Sequence, residues 1–157
     1  MNFSKILITT DFSPASYLVF DLGAYGMKMD GTEITLLHVF RSQLPYFLES
    51  PIPLQLSVLN EANAEYQKQA VARLKDLAIT KFHGQSVSCE VLESTEEVAK
   101  QICDFAAKNK FDLIVMGTQG YTTLGALFIG SVTQRVLLLS NVPVLVVPHG
   151  KGKAASK

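Results

Sequence analysis

The chain alternates short, almost unbroken apolar runs with longer stretches in which apolar residues return every three or four positions. The runs are Lys5–Thr10, Glu33–Phe40, Ser86–Leu92, Phe111–Met116 and Val144–Val147, each of strand length. Between the first two, Leu18, Val19, Leu22, Tyr25, Gly26 and Met29 repeat at helical spacing. Tyr66, Ala70, Leu74, Leu77 and Ala78 do the same in a helix expected from about residue 57 to residue 82. Val98, Ile102, Phe105 and Ala106 mark the inner face of a further helix, and Val132, Val136 and Leu139 that of a last one. Ser13-Pro14 reads as an N-cap followed by a first-turn proline, and Asp30-Gly31 and His83-Gly84 read as stops. Ser94 with Glu97, and Ser131 with Gln134, have the spacing of capping boxes. The stretch from Arg41 to about Leu54 carries Pro45, Pro51 and Pro53 and reads as a long loop.

Five strands separated by four helices, with near-continuous apolar strands, predict an α/β fold: a five-stranded parallel sheet covered by helices on both faces. Crossovers in such a sheet are right-handed, and ligands sit outside the carboxyl ends of the strands where the strand order reverses. The residues to inspect are therefore Asp11, Val39, Glu93 and Gly117.

Length and charge narrow the function. The 157 residues suit one domain, expected over residues 1–149, followed by a basic Gly/Ala/Ser/Lys tail at 150–157 read as disordered. A formal net charge of zero gives no electrostatic reason to expect a nucleic acid or an anionic membrane as partner. No apolar stretch approaches a membrane span, and the N-terminus has no signal-peptide pattern, so a cytoplasmic protein is expected. Cys89 and Cys103 are too far apart for a zinc or redox motif and read as reduced core thiols.

The richest local signal lies late in the chain: Gly117-Thr118-Gln119-Gly120, nine residues, then Gly130-Ser131. Glycines let the backbone approach an anion, and the unpaired N–H groups expected at Ser131, Val132 and Thr133 carry partial positive charge. The segment reads as an anion site built from backbone, or as a glycine-rich loop whose serine merely caps a helix. Asp11 reads as an acceptor for ribose hydroxyls or a group that helps hold a divalent metal, or else as a solvated turn residue stabilising a helix N-terminus. His38 reads as a structural, hydrogen-bonded histidine rather than a catalytic one, Arg135 as a solvent-facing helical arginine rather than a phosphate contact, and Met116 as core filling. There is no P-loop, no G-x-G-x-x-G turn and no nucleophile elbow.

Taken together, the G-x-x-G-(nine residues)-G-S spacing, the opening strand ending Thr10-Asp11-Phe12-Ser13 and the strand containing Leu37-His38-Val39 resemble the universal stress protein family over about residues 3–148. Gly130-Ser131-Val132-Thr133-Gln134-Arg135-Val136 and Val142–Pro148 are close to that family's wording, in the form carried by its ATP-binding members. The resemblance implies the adenine nucleotide alpha hydrolase-like (Rossmann-like) fold, in three α/β/α layers. It further implies ATP or AMP as ligand. Thr9, Thr10 and Asp11 would lie by ribose and adenine, and Val39 would offer its backbone to the adenine edge. Met116 and Gly117 would border the ribose, Thr118 would belong to the same binding set, and Gly120, Gly130, Ser131, Val132 and Thr133 would hold the phosphates. Gln119 departs from the His or Arg that many members carry. Because Gly117–Gln134 holds no formal charge, a triphosphate there is expected to need Mg2+ or Mn2+. Asp11 and Arg135 are a poor set for hydrolysis, so a nucleotide-responsive binding module is favoured, with a slow ATPase or a structural dimer as the alternatives. Val144–Val147, apolar and last in sequence, is expected to be an edge strand that pairs in a homodimer.

Overall fold

The computed structural model describes residues 3–13, 16–21, 31–41, 56–83, 85–118 and 129–148. The expected helix residues 22–30, most of the proline-containing segment, Gly120 and the basic tail lie outside them. Among the described residues five strands form one sheet: β1 (Lys5–Thr9), β2 (Glu33–Arg41), β3 (Val87–Ser94), β4 (Leu113–Gly117) and β5 (Val144–Val147). Every pairing is parallel, and the order is β3-β2-β1-β4-β5. Residues 16–21 are helical (α1), and three further helices follow: α2 (Leu56–Lys81), α3 (Val98–Lys108) and α4 (Ser131–Leu139).

Strand order and handedness decide where the helices go. From β1 the chain steps to β2 and β3 in one direction, then crosses back to β4 and β5 in the other. Right-handed crossovers put the helices of the two runs on opposite faces. Val19 and Phe20 of α1 and Ala70, Leu74 and Leu77 of α2 accordingly pack on one face, with Ile6, Ile8, Ile34 and Leu36 of the sheet. Ala99, Ile102, Cys103 and Ala106 of α3 and Val136 of α4 pack on the other, with Leu7, Leu37, Ile114 and Met116. The side-chain period of two along β1 and β2 divides their apolar residues between the two cores. At the amino end of the sheet the Asp112 carboxylate, just before β4, accepts the Ser4 N–H and hydroxyl, both at 2.8 Å, and the Lys5 N–H at 3.1 Å. That bracket fixes the start of β1 against the start of β4.

Both expected capping boxes are replaced by other arrangements. β3 runs on through Ser94, whose hydroxyl accepts the Glu96 N–H at 3.3 Å. Glu97 itself is the N-cap of α3, without a side-chain cap bond, because its carboxylate is engaged by Arg135. Gly130 is the N-cap of α4, and Ser131 is the first helical residue, while Gln134 turns its amide to the Ile129 carbonyl at 3.0 Å. The inner face of α4 is also rotated from the apolar repeat. Thr133 and Val136 are buried, whereas Val132 and Leu139 are exposed. The cause is a hydrogen bond: the Thr133 hydroxyl points inward and donates to the Gly117 carbonyl at 2.9 Å. On α3, Ile102 and Ala106 are buried as expected, Ala99 and Cys103 are buried beside them, and Val98 and Phe105 are only half-buried.

Candidate functional site

The strand order reverses between β1 and β4, so the turns that leave their carboxyl ends diverge to opposite faces and open a crevice. A cavity of about 320 Å3 occupies this place. β1 and its turn contribute Thr9, Thr10 and Asp11, β2 contributes Leu37 and Val39, and β4 contributes Met116 and Gly117. Gly130 and the first turn of α4, Ser131, Val132 and Thr133, close the far side. Thr118, by contrast, is not among the lining residues. Its N–H donates to the Val147 carbonyl at 2.9 Å, and its own carbonyl accepts the Gly130 N–H at 2.6 Å. It therefore pins the two ends of the glycine segment together, and the Thr133–Gly117 bond pins them a second time. Gly120 lies outside the described residues.

Four lining residues were not among the site residues expected from the sequence: Ser16, Leu37, Val98 and Ile102. Leu37 shares a strand face with Val39, two residues on, so strand alternation carried that signal. Val98 and Ile102 come from α3, which packs on the same face of the sheet as α4, and no local spacing connects them to the glycine segment.

The described residues of the β1–α1 turn are cross-braced. Ser16 Oγ donates to the Ser13 carbonyl at 2.7 Å, so the Thr10 hydroxyl must donate to Ser16 Oγ at 2.9 Å. Thr10 Oγ1 in turn accepts the Phe12 N–H at 2.9 Å. Asp11 Oδ1 accepts the Ser13 N–H at 3.0 Å, an Asx turn that leaves the exposed carboxylate at the cavity with acceptor capacity to spare. The Ser13 hydroxyl accepts the Ser16 N–H at 3.4 Å, consistent with its expected capping role.

At the other end of the cavity, the first hydrogen bond of α4 runs from the Gln134 N–H to the Gly130 carbonyl. The N–H groups of Ser131, Val132 and Thr133 and the Ser131 hydroxyl have no partner among the described residues. These are the orphan donors of a helix N-terminus and suit an anion. Asp11 is the only charged residue lining the cavity among the described residues, so the two ends differ in character: acceptor at Asp11, donor at α4. Arg135 points away into a two-point pair with Glu97, Nε to Oε1 at 2.7 Å and Nη2 to Oε2 at 3.2 Å. That pair ties α3 to α4 and holds the Glu97 carboxyl below its ordinary range, chiefly through the Arg135 hydrogen bond. No group of three His, Cys, Asp or Glu among the described residues could hold a metal ion. A divalent ion would thus find a single carboxylate here rather than a cage.

A doubly wound parallel α/β domain with an acceptor–donor cavity at its switch point belongs to the class of open-sheet ligand-binding domains. Comparison with known proteins makes the assignment narrower. The Universal stress protein family profile matches residues 2–148, and the chain belongs to that family. Universal stress protein MJ0531 of Methanocaldococcus jannaschii is 32% identical over 149 residues, spanning 95% of this chain and 84% of the relative. The solved structure of MJ0577, from the same organism, superposes with a TM-score of 0.78 at 26% identity, covering 94% of this chain and 96% of that one. The fold also matches a universal stress protein in complex with cAMP at a TM-score of 0.59 and 17% identity, covering 96% of this chain and all of that one. It matches the Archaeoglobus fulgidus universal stress protein in complex with dAMP at 0.56 and 20%, covering 93% and 98%.

Proposed function

We propose that the cavity is an adenine-nucleotide site and that the chain acts as a nucleotide-responsive binding module of the ATP-binding branch of its family. The observation that carries this reading is the polarity of the cavity. A carboxylate accepts hydrogen bonds only, so Asp11 faces the part of a ligand that donates, such as ribose hydroxyls. The α4 N-terminus donates only, so it faces the phosphate. The floor between them, with Leu37, Val39 and Met116, suits a base and a sugar. β1 pairs with β2 only as far as Thr9 opposite Leu37, and the Leu37 carbonyl still accepts the Thr10 N–H. Val39, two residues on, turns its backbone N–H and carbonyl to the same side, past the end of β1, where an adenine edge would meet them. The neighbours of this fold that hold cAMP and dAMP support the ligand class.

Binding rather than turnover is the proposal. Phosphoryl transfer needs charge stabilisation at the terminal phosphate, and the nearby Arg135 is held by Glu97. ATP in this site would carry Mg2+ or Mn2+ on its own phosphates. Calorimetric titration tests both points: AMP should bind equally with and without EDTA, and ATP should weaken severalfold on chelation. No heat of binding from either nucleotide would sink the reading, and steady ADP release abolished by Asp11→Ala would replace it with an ATPase.

A twofold dimer through β5 is part of the same proposal. β5 is a sheet edge, with Leu145 42% exposed on it. An apolar edge strand is a liability unless it is paired.

A further inference from the structure

Phe12 is a non-glycine residue with φ of 61°, in the left-handed region that bulky side chains avoid. Such a residue persists only where its surroundings over-determine it, and the surroundings here are specific. The Phe12 ring is buried, 4.4 Å from the His38 ring, and the Arg73 guanidinium of α2 lies 4.2 Å over it. His38 is 4% exposed and faces α2, on the opposite side of β2 from the cavity-lining Leu37 and Val39. Its Nδ1 lies 2.8 Å from the Thr10 carbonyl oxygen, and its Nε2 lies 3.0 Å from the Tyr66 hydroxyl of α2. A carbonyl only accepts, so Nδ1 carries the proton. In the neutral ring Nε2 is then the acceptor, and the Tyr66 hydroxyl donates to it.

We propose that His38 is the positioning residue of the cavity: its Nδ1–H, oriented by Tyr66, holds the Thr10 carbonyl and so aims the Asp11 carboxylate at the ligand's hydroxyls. The idea rests on the adenine-nucleotide reading, but its geometry is testable without a ligand. Thr10 is fixed by its N–H to Leu37, its hydroxyl to Ser16 and its carbonyl to His38, which leaves Asp11 one place to stand. Burial also lowers the proton affinity of the His38 ring, which keeps it in the neutral, single-donor form near neutral pH.

The test compares AMP with 2′,3′-dideoxyadenosine monophosphate, which lacks the ribose hydroxyls. Wild-type protein should prefer AMP by about tenfold, roughly one charged hydrogen bond. His38→Leu should bring the ratio close to one while leaving dideoxynucleotide affinity within about twofold. His38→Asn, whose side-chain amide superposes a donor on Nδ1, should restore the preference. Tyr66→Phe, at a partly exposed site, should reduce it and serves if His38→Leu does not fold. A preference unchanged in His38→Leu and Tyr66→Phe, or both nucleotides weakened by the same factor, would overturn the proposal. If wild-type protein binds neither nucleotide, the functional reading fails on its own. The positioning role is then judged in the ligand-free protein. The Asp11 and Phe12 amide resonances should move in His38→Leu (or in Tyr66→Phe if it does not fold) and return in His38→Asn, and their staying put would refute it.

Discussion

At the scale of single residues, the site depends on polar groups whose partners are set by direction as much as by distance. Thr133 illustrates this. A threonine in an apolar helix repeat reads as an interruption, yet its hydroxyl to the Gly117 carbonyl sets the rotation of α4 and presents three N–H groups to the cavity. Thr133→Val keeps the shape and leaves a carbonyl unpaired. It should destabilise the protein by about 1–2 kcal/mol, measured by denaturant unfolding, and should weaken AMP binding as well. Asp11→Ala should lower AMP affinity about tenfold with little change in melting temperature, since the carboxylate is exposed and makes one local bond. His38 gives a pH dependence whose sign follows from its burial. The ring's proton affinity is lower in the folded than in the unfolded chain, so the unfolded chain protonates first as pH falls. The stability contributed by neutral His38 is present above the ordinary imidazole pKa of about 6.5 and declines below it. Unfolding free energies between pH 8 and 5.5 should fall for the wild type and fall less for His38→Asn.

At the scale of elements, the α4 N-terminus and the β1–α1 turn face each other because β4 lies beside β1. Everything that holds those strands in register bears on stability, but not everything bears on the ligand. Asp112 brackets β1 and β4 at the amino end of the sheet, away from the cavity. Asp112→Ala should cost about 1–2 kcal/mol of stability and leave AMP affinity unchanged, which separates sheet integrity from ligand chemistry. The elements were largely legible in the sequence because buried parallel strands are apolar on both faces and the helices between them are periodic. Asp11 and Gly117 were legible for the same reason: a parallel sheet puts its turns at one end. Val39 lines the cavity from within β2, whereas Glu93, expected with them, lies within β3 and is not among the lining residues. What was not legible is rotation and cap geometry. A four-residue S-x-x-E or S-x-x-Q spacing does not reveal that β3 continues through Ser94, or that Glu97 is drawn away by an arginine 38 residues later. Nor does an apolar repeat show which of two adjacent helix faces turns inward when a hydroxyl competes, as at Thr133 against Val132. Ser16, Val98 and Ile102 join the cavity through the packing of layers, and local sequence carries no record of that.

At the scale of the whole molecule, two cores of unequal composition share one sheet. The α1–α2 side holds Phe20, Leu74 and Phe82 fully or almost fully buried, and the α3–α4 side is smaller and carries the cavity. Leu74→Ala, within the larger core, should therefore cost about 2–5 kcal/mol. No helix among the described residues is long and apolar enough to cross a membrane. The β5 edge is where a second copy would add. Sedimentation at micromolar concentration should give a dimer for the wild type and a monomer for Leu145→Lys, because a lysine on an edge strand opposes pairing. A wild-type monomer would remove the dimer and leave the cavity untouched. The central claim, that the crevice between β1 and β4 holds an adenine nucleotide, is met most directly by titrating AMP into 15N-labelled protein. The amide resonances of Asp11, Val39, Ser131, Val132 and Thr133 should shift together and saturate. No shift, or shifts confined to the α2 side of the sheet, would contradict it.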